Sequence, residues 1–178
     1  MYLSSSKELC IVYSGTGDSN GLCAYSDIDW AGDVETSRST TGYAIFLGNG
    51  IVSWLSRRQR RVTLSSTEAE YCGMTETAKQ LRWIRNLYEE LGFKLGPLPL
   101  CVDNQGAIFL ASKPAQEGRT KHVRMTEHFI RESVEFGEIK LYYVPTDQQF
   151  ADIFTKYLGK QKFEDGRKAL RLLRYKPS

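Results

Sequence analysis

The length and composition of this chain fit one globular domain of ordinary size. Its 178 residues are 41% hydrophobic and 25% charged, with only five prolines, which excludes a disordered or collagen-like protein. A membrane span needs about 20 consecutive apolar residues, and every apolar run here is far shorter, so we expect neither a membrane protein nor a secreted one. The net charge of +3 is too small to indicate nucleic-acid binding by itself.

The predicted elements, taken in chain order, are those of a layered α/β domain. Short apolar runs predict strands, and apolar residues at helical spacing predict helices. The predicted strands are 9–13, 22–26, 40–47, 51–55, 98–102 and 139–144, and the predicted helices are 65–92, 104–112, 126–136, 146–158 and 163–173. The three strands between residues 22 and 55 are expected to form an antiparallel meander, with helices packed on a mixed sheet.

Three local signals support these boundaries. The Gly-Asn-Gly sequence at 48–50 predicts a tight hairpin turn, because both residue types adopt positive φ at little cost. Ser65 with Glu68 predicts a capping box at the start of the long helix, and Thr146 with Gln149 predicts a second one.

The cysteines predict free thiols. They are widely spaced and contain no C-x-x-C pair, which argues against a zinc site or a disulfide framework. We expect buried thiols in a reducing compartment at Cys10, Cys23, Cys72 and Cys101.

Several acidic residues stand where chemistry is often found. Asp27 and Asp103 each follow a predicted strand, and strand ends are where α/β sheets place their sites. Glu70 lies on the apolar stripe of the long helix, where a bare charge is costly unless it is paired, protonated or bound to metal. Asp152 lies opposite the apolar stripe of its predicted helix, and periodicity does not choose between it and Asp147. Turn, cap and first-turn roles remain open for these acids.

A set of carboxylates without a Cys/His cluster suits a hard divalent cation better than zinc. Two such ions about 4 Å apart can activate a water and stabilise the leaving oxygen in phosphodiester cleavage. The sequence contains neither a G-x-S-x-G motif nor a P-loop, so serine-hydrolase and P-loop chemistry are not predicted.

Several runs of sequence between residues 22 and 158 are informative when taken together. They are YSDIDWAGD (25–33), RSTTGY (38–43), LSSTEAEY (64–71), DNQGAI (103–108), RTKH (119–122), HFIR (128–131), YVPT (143–146) and ADIFTK (151–156). In this unbroken order they resemble the ribonuclease H domain of copia-type long-terminal-repeat retrotransposon polyproteins.

The resemblance implies a ribonuclease H-like α/β fold, with a mixed five-stranded sheet made of the three-strand meander and two further strands. It also implies that residues 1–21 lead in from a reverse-transcriptase or connection region, that 22–158 form the ribonuclease H domain, and that 159–178 form a helical extension.

The implied activity is metal-dependent endonucleolytic cleavage of the RNA strand of RNA–DNA hybrids during retroelement reverse transcription. The resemblance assigns Asp27, Glu70, Asp103 and Asp152 as catalytic ligands of two Mg²⁺ or Mn²⁺ ions, and so chooses Asp152 over Asp147. Cellular ribonucleases H carry a histidine in a loop before the last acid. The corresponding residues 144–147 contain none here, and we do not expect His122 to replace it.

Basic and short polar side chains are candidates for holding the hybrid. Cations near the acids would bind backbone phosphates, and short polar groups would contact 2′-hydroxyls, although solvated loops and helix caps explain both sets equally simply. The candidates are Arg57, Arg58, Arg60, Arg61, Arg119, Lys121 and His122 for phosphates, and Ser66, Thr67, Asn104 and Gln105 for the RNA strand. Trp30, Trp54 and Trp83 are expected in the core rather than stacked on bases.

The family also implies partners and alternatives. The expected partners are an RNA–DNA hybrid and the reverse-transcriptase and integrase regions of the same polyprotein, with a monomeric isolated domain in cytoplasmic virus-like particles. One alternative is a catalytically inactive module of the same fold that binds or tethers hybrids, and another is an unexpressed relic. An integrase of this fold would use two aspartates and a late glutamate, without an acid on the first long helix, so Glu70 argues against it.

Overall fold

The central feature of the fold is a five-stranded mixed sheet with the order β4-β3-β2-β5-β6. The computed structural model describes residues 6–13, 21–33, 35–113 and 129–174. The strands are β1 (Leu9–Ile11), β2 (Leu22–Asp29), β3 (Thr40–Leu47), β4 (Gly50–Arg58), β5 (Leu98–Val102), β6 (Ile139–Tyr143) and β7 (Leu172–Arg174). The helices are α1 (Ser66–Glu90), α2 (Gln105–Ser112), α3 (helical residues 129–135) and α4 (Lys160–Ala169).

The predicted meander and mixed sheet are confirmed. Strands β2, β3 and β4 pair antiparallel, whereas β2 with β5 and β5 with β6 pair parallel. Leu47 pairs with Gly50 across a two-residue turn. Gly48 in this turn has φ of +58°, the left-handed conformation that glycine adopts cheaply.

Two apolar clusters cover the two faces of the sheet. The larger cluster joins β2, β3 and β5 to α1, α2 and α3, and includes Ile45, Met74, Leu81, Leu100 and Ile130, all with essentially no exposed surface. The smaller cluster lies on the other face, where Phe46 and Leu170 pack with partly buried aromatic side chains. Burial of these side chains is the main favourable term that holds both layers on the sheet.

The start of α1 is fixed by a cap and by close packing on β2. The Ser65 hydroxyl accepts a hydrogen bond from the Glu68 amide at 3.1 Å, as predicted. The Glu68 carboxylate in turn accepts from the amide of Leu64, one residue before the cap. A Cβ at Gly73 would lie 2.8 Å from Ile28 Cδ1, so α1 approaches β2 more closely than a larger residue would permit.

The predicted helix over 146–158 is wrong. This segment forms two 3₁₀ turns, Thr146–Gln148 and Asp152–Phe154. The predicted capping box is absent because its side chains bind elsewhere: the Thr146 hydroxyl donates to Asp103 Oδ2 at 2.9 Å, and the Gln149 amide donates to the Ser26 carbonyl at 2.9 Å. The segment is therefore held against the end of the sheet by its polar side chains.

The last predicted helix ends early. Helix α4 covers Lys160–Ala169, and the chain then turns at Arg171, which has φ of +57°, into β7. Strand β7 pairs antiparallel with β1 in a separate two-stranded sheet. Leu170 and Ile11 both pack in the smaller cluster, which attaches this small sheet to the domain.

Two expectations about side-chain burial need correction. Trp30, Trp54 and Trp83 are about half exposed, at 48%, 54% and 58%, rather than core residues. None of the four cysteines forms a disulfide, as predicted, but Cys10 is exposed and only Cys101 is buried. In the part of the chain that the structure describes, no helix combines the length and hydrophobicity needed to cross a bilayer.

Candidate active site

The parallel pairing of β2 and β5 brings Asp27 and Asp103 together. Tyr25 of β2 lies opposite Cys101 of β5. Asp27 follows Tyr25 by two residues within β2, and Asp103 follows Cys101 by two residues, directly after the end of β5. Because side chains alternate along a strand, both acids occupy equivalent positions at the same end of the sheet. Strand pairing alone thus accounts for this half of the site.

Helix α1 supplies the third carboxylate. Glu70 lies in the helix beyond its first turn, and 7% of its surface is exposed, as its position on the apolar stripe predicts. One carboxylate oxygen from each of Asp27, Glu70 and Asp103 lies within 4.8 Å of the other two. We call these three residues the carboxylate triad.

The positive charge near the triad does not balance the negative charge of its three carboxylates. Glu70 Oε2 is buried and has no hydrogen-bond partner. Burial, followed by the charges of Asp27 and Asp103, raises the pKa of Glu70 to about 9. Burial also raises the pKa of Asp27 to about 7, although the Thr155 hydroxyl and the Lys156 charge act in the opposite direction. Three oxygen donors held together at this cost are what a hard divalent cation would bind.

Asp152 lies beside the triad but is paired differently. Only 2% of its surface is exposed. Its Oδ1 lies 2.8 Å from Lys156 Nζ, and its Oδ2 binds Lys162 Nζ. Burial alone would raise the pKa of Asp152, but hydrogen bonds from both lysines outweigh it and lower the pKa.

Lys156 connects Asp152 with the triad. Its Nζ also lies 3.6 Å from Asp27 Oδ2, and the same Asp27 oxygen accepts a hydrogen bond from the Thr155 hydroxyl. Burial lowers the pKa of Lys156, but Asp152 and Asp27 together raise it above its ordinary value. Lys156 therefore carries a full positive charge between two buried carboxylates.

Gly42 allows the segment that carries Asp152 to lie close to Asp27. Gly42 of β3 is directly opposite Asp27 of β2. A Cβ at Gly42 would lie 2.5 Å from Thr155 Cγ2 and 3.1 Å from the Ala151 carbonyl oxygen. No side chain can be added there without moving the segment, so the absence of a Cβ at this position shapes the site.

The short polar residues predicted to contact substrate lie where α1 and α2 begin. Asn104 caps α2, since its Oδ1 accepts from the Ala107 amide at 3.0 Å, so its simple structural role is observed. A Cβ at Gly106 would lie 3.5 Å from Thr67, which places the two helix starts side by side. Ser66 and Gln105 are exposed next to them.

The predicted basic residues divide into two groups. Arg57 pairs with Glu76 at 2.5 Å, and Arg58 pairs with Asp33 at 2.6 Å. Arg60 and Arg61 are exposed, and neither forms an ion pair with any described residue. The other three predicted phosphate-binding residues, Arg119, Lys121 and His122, lie outside the described residues.

Four residues near the acids were not predicted from sequence: Thr146, Thr155, Lys156 and Lys162. Lys156 is four residues after Asp152, a spacing that suggests an ion pair on a helix, but the segment is not an α-helix. Lys162 reaches Asp152 from α4, and nothing in the local sequence indicates that contact.

Comparison with known protein sequences identifies the relatives of this chain. No protein-family model matches it. A retrovirus-related Pol polyprotein from transposon RE2 of Arabidopsis thaliana is 39% identical over 168 residues, which is 94% of this chain and 12% of that polyprotein. The corresponding polyprotein from transposon TNT 1-94 of Nicotiana tabacum is 36% identical over 163 residues, which is 92% of this chain and again 12% of the polyprotein. The chain thus spans about an eighth of these relatives.

Among solved structures, LC11-RNase H1, isolated from compost by a metagenomic approach, superimposes with a TM-score of 0.56 at 13% identity. The match covers 82% of this chain and 97% of that one, and at this identity it shows the fold alone. The chain is therefore a homologue of one segment of the copia-type retrovirus-related Pol polyproteins, and it has the ribonuclease H fold.

Proposed function

We propose that this chain is a metal-dependent endoribonuclease that cleaves the RNA strand of RNA–DNA hybrids. The observation that carries the proposal is the carboxylate triad, in which three oxygen donors from β2, α1 and the end of β5 lie within 4.8 Å of one another. The ribonuclease H fold and the homology to Pol polyproteins support the same function. Glu70 belongs to the triad, which supports this activity over that of an integrase.

The residues fit divalent cations. Glu70 Oε2 is buried without a partner, and the pKa values of Glu70 and Asp27 are raised, so a bound cation would relieve an unfavourable arrangement. We propose Asp27, Glu70, Asp103 and Asp152 as ligands of two Mg²⁺ or Mn²⁺ ions. Two ions in such a site supply an activated water and stabilise the leaving oxygen. Thr155 and Thr146 would hold Asp27 and Asp103 in position through their hydroxyl groups.

The surface beside the triad suits a nucleic-acid backbone. Arg60 and Arg61 follow Gln59, whose side-chain amide donates to the carbonyl of Ala69, the residue before Glu70. Both arginines are exposed and no described acid pairs with them, so they are free to bind phosphates. Trp30 is 48% exposed, and its indole N–H donates to the carbonyl of Thr63 at 3.5 Å. Thr63 follows the two arginines closely in sequence, so Trp30 lies next to the segment that carries them. The structural neighbour LC11-RNase H1 has itself been crystallised with an RNA/DNA hybrid.

The direct test is a gel assay of a labelled RNA–DNA hybrid with the purified chain, in Mg²⁺, in Mn²⁺ and in chelator. We expect metal-dependent cutting of the RNA strand alone, and its loss in Asp27→Asn while hybrid binding is retained. Asp147→Asn is the matched control, because Asp147 lies in the same region but is exposed and outside the triad. Unchanged cutting in Asp27→Asn would contradict the metal-site assignment.

The same assay distinguishes the proposed enzyme from a catalytically inactive module. A salt-sensitive shift of the hybrid without cutting would indicate the catalytically inactive binding or tethering module. Neither cutting nor binding would indicate a relic, or a domain that needs its polymerase to hold the substrate.

The polyprotein context extends the proposal. We propose that residues 22–158 act as the ribonuclease H domain next to reverse-transcriptase and integrase regions, within cytoplasmic virus-like particles, and that the isolated domain is monomeric. Size-exclusion chromatography with light scattering would test the last point.

A further inference from the structure

Two lysine ammonium groups occupy the space around Asp152. Lys156 Nζ lies 2.8 Å from Asp152 Oδ1, and Lys162 Nζ binds Asp152 Oδ2, so each carboxylate oxygen already has a cation. Lys156 Nζ is also 3.6 Å from Asp27 Oδ2. A singly charged ammonium therefore stands between Asp27 and Asp152, two of the four carboxylates proposed as metal ligands.

A divalent ion and these ammonium groups compete for the same carboxylate oxygens. Mg²⁺ binds carboxylate oxygens at about 2.0–2.1 Å and has an ordered coordination shell. Two positively charged groups bound to both oxygens of Asp152 repel a further cation at close range and use lone pairs that it needs. A divalent ion therefore binds Asp152 well only after Lys156 and Lys162 have moved.

The lysines can move without unfolding the domain. Their side chains are 33% and 44% exposed, so both ammonium groups already reach solvent. Lysine has a flexible four-carbon stem, so each ammonium can turn toward solvent when a divalent ion takes its place beside the buried Asp152 carboxylate. Glu70 Oε2 and Asp152 Oδ1 are both buried without a geometrically well-formed hydrogen bond. Asp152 Oδ1 nevertheless has an ammonium 2.8 Å away, whereas Glu70 Oε2 has no cationic partner to displace among the described residues.

We propose that Lys156 and Lys162 close the second cation position of this site, so that the triad binds one divalent ion directly and Asp152 accepts a second only when the lysines are displaced. This inference rests on the proposed function, because it concerns the loading of that same metal site. It assigns the two lysines as positioning residues that set the order of ion binding.

The experiment is titration of the metal-free chain with Mn²⁺ by isothermal calorimetry, followed by electron paramagnetic resonance of the loaded protein. The wild type should bind one ion per chain well and the second at least about tenfold more weakly. In Lys156→Met/Lys162→Met the second affinity should rise by about tenfold or more, and the spectrum should show two coupled Mn²⁺ ions at a concentration where the wild type shows one.

Three variants control for loss of charge, for the location of the effect and for the need for a cation beside Asp152. Lys168→Met removes a positive charge from α4 at a residue that pairs with Asp165 on the surface, and should leave the isotherm unchanged. Adding Asp152→Asn to the double variant should abolish the gain. Lys156→Arg keeps a cation near Asp152 and should bind the second ion as weakly as the wild type. Far-ultraviolet circular dichroism would confirm that each variant folds.

An unchanged second affinity in the folded double variant, or a gain that survives Asp152→Asn, would overturn the inference. If the wild type also cuts hybrid in that case, the proposed function still holds and only the role of the lysines is wrong. If the wild type neither binds Mn²⁺ nor cuts hybrid, the proposed function itself fails, and this inference fails with it.

Discussion

The two halves of the acidic site contain the same kind of residue in opposite electrostatic states. Glu70 and Asp27 in the triad are buried with too little positive charge nearby, and their pKa values are raised to about 9 and about 7. Asp152 is equally buried, but two lysines lower its pKa. Burial alone does not decide the protonation of an acid, because neighbouring charges can reverse its effect.

The triad is a set of oxygen ligands that needs a cation, whereas Asp152 is already paired with two lysines. The triad is assembled by two parallel strands and a capped helix. Asp152 is carried by 3₁₀ turns held by side-chain hydrogen bonds. Changes in the two halves should therefore have different and sometimes opposite consequences.

The largest effect is expected from Glu70→Gln. The amide keeps the shape of the side chain but removes a negative oxygen ligand, so cleavage should fall by at least about 100-fold and Mn²⁺ affinity should fall with it. Steady-state cleavage rates and calorimetry would measure both. Glu68→Gln is the control, because Glu68 lies on the other side of α1, outside the triad. Equal losses in the two variants would contradict the assignment.

Gly42→Ala tests how closely the segment that carries Asp152 must pack against the strand that carries Asp27. The added Cβ would lie 2.5 Å from Thr155 Cγ2, so the segment must shift away from Asp27, at a cost of about 1–3 kcal/mol in unfolding free energy. Cleavage should fall because Thr155 and Asp152 move together. Gly96→Ala is the control, since a Cβ there meets nothing within 4 Å. Urea denaturation of both variants measures the difference, and equal stability would show that the segment is not constrained at Gly42.

The pH dependence of stability should also distinguish the halves. Asp27 and Glu70 start from ordinary pKa values of 3.8 and 4.5. Their raised pKa values mean that the folded, metal-free protein holds protons that the unfolded chain releases, so stability should fall as pH rises from about 4 to about 9. At pH 8 in chelator, Glu70→Gln should raise the melting temperature by at least about 3 °C.

Asp152→Asn should change the melting temperature in the opposite direction under the same conditions. Its lowered pKa means that the charged form is stabilised in the fold, so this stabilisation is present above the ordinary pKa of 3.8 and is lost as pH falls through the lowered value. Removing the charge leaves Lys156 and Lys162 without their partner. Thermal melts of the two variants at pH 8 provide the check, and shifts of the same sign would contradict the contrast.

The smallest effect is expected on the basic surface, where paired and unpaired cations occur again. Arg60→Gln/Arg61→Gln should weaken hybrid binding several-fold and reduce the slope of log affinity against log salt by about 2. Arg57→Gln/Arg58→Gln should do less, because those arginines pair with Glu76 and Asp33. Fluorescence anisotropy at several KCl concentrations would measure both slopes. Equal slopes would show that pairing with Glu76 and Asp33 does not change how the arginines bind phosphate.

The parts of the fold that depend on local pattern were predictable. Asp103 directly follows β5, as predicted, whereas β2 continues to Asp29 and so contains Asp27, which was predicted to follow it. The apolar stripe of the long helix predicted burial of Glu70, as observed. Each of these depends on residues close in sequence and on regular periodicity. The Gly-Asn-Gly turn and the Ser65 cap are local in the same sense.

Asp152 could not be placed by periodicity because the helix assumed for it does not exist. Its burial comes from hydrogen bonds between Gln149 and Ser26, and between Thr155 and Asp27, which join residues more than 120 positions apart. Only the family resemblance selected it. The exposed tryptophans show the converse, since residue type predicts a core position and the tertiary arrangement leaves them at the surface.

The pairing of β1 with β7 has a mechanical consequence. Leu9 lies opposite Arg174 and Ile11 lies opposite Leu172, so the outer ends of the two strands are adjacent. Tension applied through residues before Leu9 and after Arg174 would separate these pairs one at a time, starting at the outer end. The short ladder would open under a small force before the load reached the five-stranded sheet, and the carboxylates would keep their spacing while the flanking chain is pulled.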